Sequence, residues 1–287
     1  MQDADDTIME IVRNPELDWP KLVKFREEAA GHVKSKELWD WEYKHADAFF
    51  MMDGDKIAGQ QSIQPVVWTE DGNQVYHGLS FDVAVHPDYR GIGANKGVGI
   101  MMRLARHAIT ECGCSAYYGF PNANAVHGFM NMGWQNIGQV KLAEESIDSV
   151  PAGSTRFIRV KKFVEKPINV PPYNVFKEYG VADLNYRYVS KPGNNYEIFG
   201  ADGKTEQFII LNTFVDEGKK VVQVMDSVCG KGMIQDVMFL VRDFCMNNGC
   251  SEYRYFSLGG TVEKQAWLIF YPNVSDVNMH FGDWDVT

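Results

Sequence analysis

Strict alternation marks the stretch from Leu79 to Val85: Leu79, Phe81, Val83 and Val85 alternate with Ser80, Asp82 and Ala84. The period of two predicts a strand, which Pro87 ends because proline has no N–H to give a ladder. After a turn through His86 to Tyr89 and the run Arg90-Gly91-Ile92-Gly93-Ala94, the period changes. Ile100, Met101, Leu104, Ala105, Ala108 and Ile109 recur at helical spacing, so the order is strand, glycine loop, helix.

The flanking pattern fills in the rest. Ile8 to Val12 reads as a short strand and Trp19 to about Ala29 as a helix, followed by apolar bulk at Leu38, Trp39, Trp41 and Tyr43. Ala48 to Met52 and Ile57 to Gln64 form a hairpin around Asp53-Gly54-Asp55-Lys56, with further strands at Val66 to Trp68 and Gln74 to Gly78. Cys114 to Phe120 reads as a strand and Asn124 to Met132 as a helix. Antiparallel strands therefore precede the glycine loop and a helix follows it, which predicts an α/β (α+β) fold.

A glycine loop between strand and helix has a chemical use. The first N–H groups of a helix have no intrahelical partner, and the helix dipole adds positive charge there, so phosphate oxygens can be held by main chain alone. Gly91 and Gly93 lack the Cβ atoms that would keep a ligand away, and Arg90 adds charge at the rim. The alternative is a tight turn and nothing more. Two familiar phosphate motifs do not fit: Lys96 stands where a dinucleotide fingerprint needs its third glycine, and Asn95-Lys96-Gly97 is not the Gly-Lys-Ser/Thr of a Walker loop.

The run Val83-Ala84-Val85-His86-Pro87-Asp88-Tyr89-Arg90-Gly91-Ile92-Gly93 resembles motif A of the GNAT superfamily of N-acetyltransferases, Arg/Gln-x-x-Gly-x-Gly/Ala after a strand. Arg90 and Gly93 match, while Asn95 replaces the last Gly or Ala. Asn122, Ala125 and Phe129 before Gly133-Trp134 are similar to a second family element, Asn-x-x-Ala-x-x-x-Tyr before Gly-Phe. The resemblance implies that Arg90, Gly91, Ile92, Gly93, Ala94 and Asn95 hold the pyrophosphate of acetyl-CoA. It also implies that the main chain of Val83, Ala84 and Val85 pairs with pantetheine, and that the cofactor lies between two splayed parallel strands, with Asn122, Asn124 and Phe129 beside it. The alternative for Pro121-Asn122-Ala123-Asn124 is a turn that caps a helix, with the ligand role preferred for Asn122. Trp39, Trp41 and Tyr43 lie where such proteins line the acceptor side, or else pack on the sheet.

Acetyl transfer to an amine needs a neutral nucleophile, oxyanion stabilisation and a proton for the departing thiolate. Phe129 stands where the family commonly has a tyrosine and has no proton to give, which leaves Tyr118, His127 or water. Asp82 beside the cofactor strand is a candidate base or a structural ion-pair partner.

Composition narrows the partners. At 287 residues the chain suggests two domains, and 38 acidic against 28 basic residues give a charge of −10, which disfavours a nucleic-acid surface. The acidic start MQDADDTIMEIV lacks the form of a signal peptide, no long apolar run predicts a membrane span, and five cysteines without C-x-x-C spacing read as buried thiols in a reducing cytoplasm, with no metal. Prolines at 151, 167, 171 and 172 punctuate a connection. Beyond it, Gly113-Cys114-Ser115-Ala116-Tyr117-Tyr118 is echoed at Gly249-Cys250-Ser251-Glu252-Tyr253-Arg254, 136 residues on. The expected organisation is an acetyl-CoA-binding GNAT domain over 1–150, a linker over 151–172 and a degenerate GNAT-like domain over 173–287 that binds no cofactor. The expected protein is a cytoplasmic N-acetyltransferase, monomer or homodimer, that acetylates a primary amine of a small molecule or sugar by direct attack. The alternatives are a CoA-binding regulatory or scaffold protein, or an aminoacyl transferase using charged tRNA, which the negative charge opposes.

Overall fold

The computed structural model of the chain describes residues 9–70, 72–92, 99–146, 155–168, 175–177, 180–230, 233–250, 252–257 and 265–272. Gly93, Ala94 and Asn95 of the glycine loop lie outside the described residues, as do 151–154 and 169–172 of the expected linker. The described residues fall into two compact units, one reaching to Gly138 and including the chain from Trp267, the other running from Gln139 to Ala266.

In the first unit, β1 (Glu10–Arg13), α1 (Trp19–Ala30) and α2 (Lys36–Glu42) precede β2 (Asp47–Asp53), β3 (Lys56–Glu70) and β4 (Asn73–Val85). Then come α3 (Ile100–Cys112), β5 (Ala116–Gly119) and α4 (Ala123–Asn131). The chain continues through β6 (Gln135–Ser146), β7 (Phe157–Val160), β8 (Val175–Lys177), α5 (Val181–Leu184), β9 (Tyr196–Ala201), β10 (Lys204–Asp216), β11 (Lys219–Val228), α6 (Ile234–Asn247), β12 (Glu252–Ser257) and β13 (Gln265–Pro272). The two strand runs expected on either side of Pro65 are one fifteen-residue strand, β3, and those on either side of Gly78 are one strand, β4.

Strand order in the first unit is β1-β2-β3-β4-β5-β13, and in the second β6-β12-β11-β10-β9-β7. Each sheet is antiparallel except for one pair, β4 with β5 and β11 with β12, and each of those pairs is joined by a helix, α3 or α6. Both units are therefore mixed, mostly antiparallel sheets flanked by helices, and the run strand, strand, strand, helix, strand occurs in each. The echo 136 residues apart falls on equivalent places. Gly113 and Gly249 follow α3 and α6 with φ of 62° and 65°, a left-handed conformation suited to glycine, and Cys114 with Cys250 and Tyr117 with Tyr253 are buried.

The first unit packs both sheet faces. On one, Leu104, Ala108, Val126, Phe129, Trp134 and Tyr117 join Phe49, Met51 and Ile63; on the other, Leu22 and Phe25 of α1 meet Phe50, Ile57 and Ala84. Gly59 lets α3 lie directly on β3, since a Cβ there would stand 2.7 Å from the Ile100 Cγ2 and 3.3 Å from the Ala84 carbonyl oxygen.

Candidate functional site

The β4 strand carries a flaw in its second half. Ser62 pairs with Phe81 but Gln60 pairs with Ala84, so β4 holds an extra residue, and Asp82 adopts φ 50°. The bulge shifts the alternation read from the sequence. Phe81 contacts the Tyr43 ring on the α1 side, whereas Val83 and Val85 pack toward α3. Asp82 is thereby aimed at the α1–α2 side, where its carboxylate accepts from Arg26 Nη2 at 3.1 Å, Lys34 Nζ at 2.7 Å and Tyr43 Oη at 2.8 Å.

This cluster is buried and extensively bonded. Arg26 also donates to Gln60 Oε1 at 3.3 Å and to His32 Nε2 at 3.1 Å; Lys34 also donates to Glu42 at 2.5 Å; and Gln60 Nε2 donates to Tyr43 Oη at 2.7 Å. Burial by itself would raise the Asp82 carboxyl, but Arg26 and Lys34 outweigh it and hold the group below its ordinary value. Burial and the Asp82 charge hold the Tyr43 phenol well above its own. An ionised carboxylate with two cations is a weak base, and of the two roles open to Asp82 this geometry is that of the ion-pair partner. Its folded pKa lies below the unfolded value of about 3.9, so the stability it contributes is present above that pH and is lost as pH falls through the folded pKa. Acid unfolding of Asp82→Asn is expected to show a shallower pH dependence below pH 4 than the wild type.

Of the three aromatics expected to line the acceptor side, Tyr43 belongs to this cluster. Trp39 stacks on Tyr43 with centroids 4.0 Å apart and meets Trp19 edge-on at 6.2 Å; Trp41 is half-buried on α2.

Beside the cluster the sheet forks. The parallel register of β4 and β5 ends at Ser80 with Gly119, yet β4 runs on to Val85. The His86 N–H donates to the Ala58 carbonyl at 3.0 Å, so along this stretch His86 and, two residues back, Ala84 are bonded toward β3. Val83, N–H and C=O alike, and the Val85 N–H therefore face the gap. The Val85 carbonyl accepts from Arg90 Nε at 3.1 Å.

Several sequence-predicted residues are used otherwise than expected. Asn122 is the N-cap of α4, its Oδ1 accepting from the N–H groups of Asn124 and Ala125 at 3.1 Å each, so its side-chain oxygen serves the helix end. Phe129 is a core residue, edge-on to Trp134 at 4.9 Å, in place of a cofactor contact. His127 and Asn124 are exposed on α4. Tyr118 is buried one residue before the fork, its ring edge-on to Trp68 at 5.5 Å.

The turn after β4 is internally tied. Tyr89, Arg90 and Ile92 N–H groups donate to the carbonyls of His86, Pro87 and Tyr89, so these three are not part of a converging cradle as the sequence suggested. Gly91 has φ 81°, which favours glycine whatever the space around it. Tyr89 Oη donates to Asp53 at 2.7 Å, and burial with this bond lifts the phenol to about 12. His86 Nε2 meets Glu28 of α1 at 2.9 Å, and Arg90 Nη2 donates to the Ala29 carbonyl at 3.0 Å, so α1 and the turn brace each other.

Arg26, Lys34 and Gln60 carry no pattern in the sequence that marks them. A charged residue at a core-facing position of α1 is the one signal available, since Arg26 follows Phe25 on a helix whose Leu22 is buried.

The second unit has the same fork in a different state. The β11–β12 register spans Val221 to Gln223, while β11 continues to Val228. There the Ser227 N–H donates to Asp226 Oδ1 at 2.9 Å and the Gly230 N–H to Gln207 Oε1 at 2.9 Å. Side chains of the unit itself occupy those donors.

Among the described residues no group of three or more His, Cys, Asp or Glu could hold a metal ion, and no helix is long and apolar enough to cross a membrane. Residues 11–137 match the sequence profile of an acetyltransferase (GNAT) domain. No curated protein matches the sequence significantly. Among solved structures, a GCN5-related N-acetyltransferase from Anabaena variabilis ATCC 29413 superposes with a TM-score of 0.64 at 13% identity, over 91% of this chain and 72% of its own. Another, from Kribbella flavida, gives 0.61 at 11% identity over 91% and 71%. The N-myristoyltransferase of Saccharomyces cerevisiae with bound myristoyl-CoA gives 0.54 at 8% identity over 94% and 84%. At these identities the likeness is one of fold.

Proposed function

Because residues 11–137 carry a domain of the GNAT acetyltransferase family, we propose that the protein is a cytoplasmic N-acetyltransferase that moves an acetyl group from acetyl-CoA to a primary amine by direct attack in a ternary complex. The observation that carries this reading is the fork: Val83 and the Val85 N–H lie where β4 outruns β5, and among the described residues no strand pairs with them on that side. A pantetheine arm, with amides along its length, can complete such an edge as an added strand would, and the thioester carbonyl can take an N–H that strengthens its hold as the oxyanion forms. Arg90 and the loop after it supply charge and donors for the pyrophosphate.

The proton for the thiolate comes from Tyr118, which pairs one residue before the fork, or from water; Phe129 supplies none. The acceptor is an amine presented from the α1–α2 side, where Trp39, Trp41 and Tyr43 lie, and the chain's net charge of −10 favours a cationic one. The second unit is read as a degenerate copy that binds no CoA, since the Ser227 N–H beyond its paired register is already taken by Asp226. The protein is then a monomer or homodimer with one cofactor per chain.

The test is release of free CoA thiol from acetyl-CoA across a panel of polyamines, aminoglycosides and amino-sugars, with amine-dependent release expected. The burial of Phe129 in the core favours one second reading, a CoA-binding regulatory protein without turnover. Tight acetyl-CoA binding with no thiol release for any amine would select it.

A further inference from the structure

The two forks differ in where one carboxylate points. Asp82 stands five residues beyond His77, the first β4 residue in the parallel register, and Asp226 stands five beyond Val221, the first of β11. Each lies next to a register shift: Asp82 is one of two β4 residues opposite Gln61, and Asp226 pairs with Ile210 directly after the extra β11 residue, Met225. Both accept from a tyrosine contributed by the segment before the strands, the half-buried Tyr43 at 2.8 Å and the buried Tyr188 at 2.5 Å. The equivalence ends at the other oxygen. Asp226 Oδ1 accepts from the N–H of the next residue, Ser227, whereas both Asp82 oxygens are drawn to the α1–α2 side, Oδ1 by Arg26 and Oδ2 by Lys34 and Tyr43.

The residue after Asp82 is Val83, whose N–H faces the gap. A carboxylate at this position has two ways to satisfy itself: a charge-assisted bond to the next amide, as Asp226 makes, or ion pairs on the opposite side of the strand. A buried cation, Arg26, and a part-buried one, Lys34, within 3.1 Å decide the choice, because desolvation strengthens their pull on the carboxylate. We infer that Arg26 and Lys34 are positioning residues that hold Asp82 off the Val83 amide, and so keep the strand edge open for the thioester arm of an acyl-CoA. The inference rests on the proposed function for the identity of the ligand, but the state of the edge is a property of the free protein.

The other charged and titratable groups facing Asp82 have defined places. Glu42 shares Lys34, His32 Nε2 accepts from Arg26 while Nδ1 contacts the Ala30 carbonyl at 3.0 Å, and Tyr43 donates its proton to Asp82. None of them competes for the Val83 amide.

The experiment measures exchange of the Val83 amide by NMR in the free protein, and acetyl-CoA affinity by calorimetry. The variants are Arg26→Met/Lys34→Met and the triple variant that adds Asp82→Leu. In the double variant Asp82 is free to turn as Asp226 does, so Val83 exchange is expected to slow at least tenfold and acetyl-CoA affinity to fall about tenfold. The triple variant removes the cap together with both cations and leaves of the cluster's charges only the partly exposed Glu42, so exchange and affinity are expected to return to within about threefold of wild type. A cluster that merely supports the fold predicts the opposite sign, faster exchange at Val83 in the double variant, and that result overturns the inference. So does unchanged affinity in a double variant whose wild-type parent binds. If the wild type binds no acetyl-CoA but the double variant slows Val83 exchange, the inference about the edge stands and the cofactor assignment fails.

Discussion

Replacing Asp82 by alanine is expected to lower the unfolding free energy by about 3 kcal/mol, the low end of what breaking a buried ion pair costs by leaving a charge behind. Arg26 is the group left exposed to that cost. It is only 4% exposed, and its remaining polar contacts are Gln60 and His32, while Lys34 retains Glu42. The effect is conditional on the cations. In an Arg26→Met/Lys34→Met background the same loss of Asp82 is expected to be neutral or stabilising, since well-packed apolar groups replace a buried ionic cluster at little cost. Urea denaturation of the single, double and triple variants gives the coupling, and additive effects would show that the three side chains do not act as one unit.

Gly78→Ala is expected to cost about 1–3 kcal/mol, as overpacking of a well-filled core does. An added Cβ would stand 2.5 and 2.7 Å from two carbons of the Tyr117 ring and 2.9 Å from the Ile63 Cγ2. The ring cannot step aside easily. Tyr117 Oη donates to the Ile109 carbonyl at 2.7 Å and accepts from the Cys114 N–H at 3.0 Å, so it is pinned at the far end by the close of α3 and the start of the next turn. Gly78 lies opposite Tyr117 in the parallel register, and strain there bears on the last paired residues before the fork. A midpoint of denaturation within error of wild type would mean that β5 shifts freely, which is at odds with a rigidly held gap.

The parts of this account legible in the sequence are those governed by local rules. Alternation and the Pro87 stop placed the end of β4, helical spacing placed α3 and α4, and the echo at Gly249-Cys250 marked a second βαβ step that falls on equivalent turns and buried residues. What the sequence hid depends on one extra residue. The period-two reading put Phe81 and Val83 on one face, but the bulge at Asp82 separates them, and no propensity announces a non-glycine residue at φ 50°. Arg26 and Lys34 reach that bulge from 56 and 48 residues away, a pairing that only the folded chain reveals. Asn122 was ambiguous for a different reason: an amide suited to a ligand is equally suited to a helix end, and the geometry of α4 uses it there.

The central claim is that one open strand edge, at Val83 and Val85, receives an acyl-CoA. The most direct measurement is calorimetric titration of acetyl-CoA into the wild type and into Val85→Pro, which removes the N–H facing the gap and leaves the bonds of β4 to β3 in place. The account predicts one equivalent of acetyl-CoA per wild-type chain and about fivefold weaker binding in the variant, the loss of one hydrogen bond of ordinary strength. Two equivalents per chain, or equal affinity for the two proteins, would contradict it.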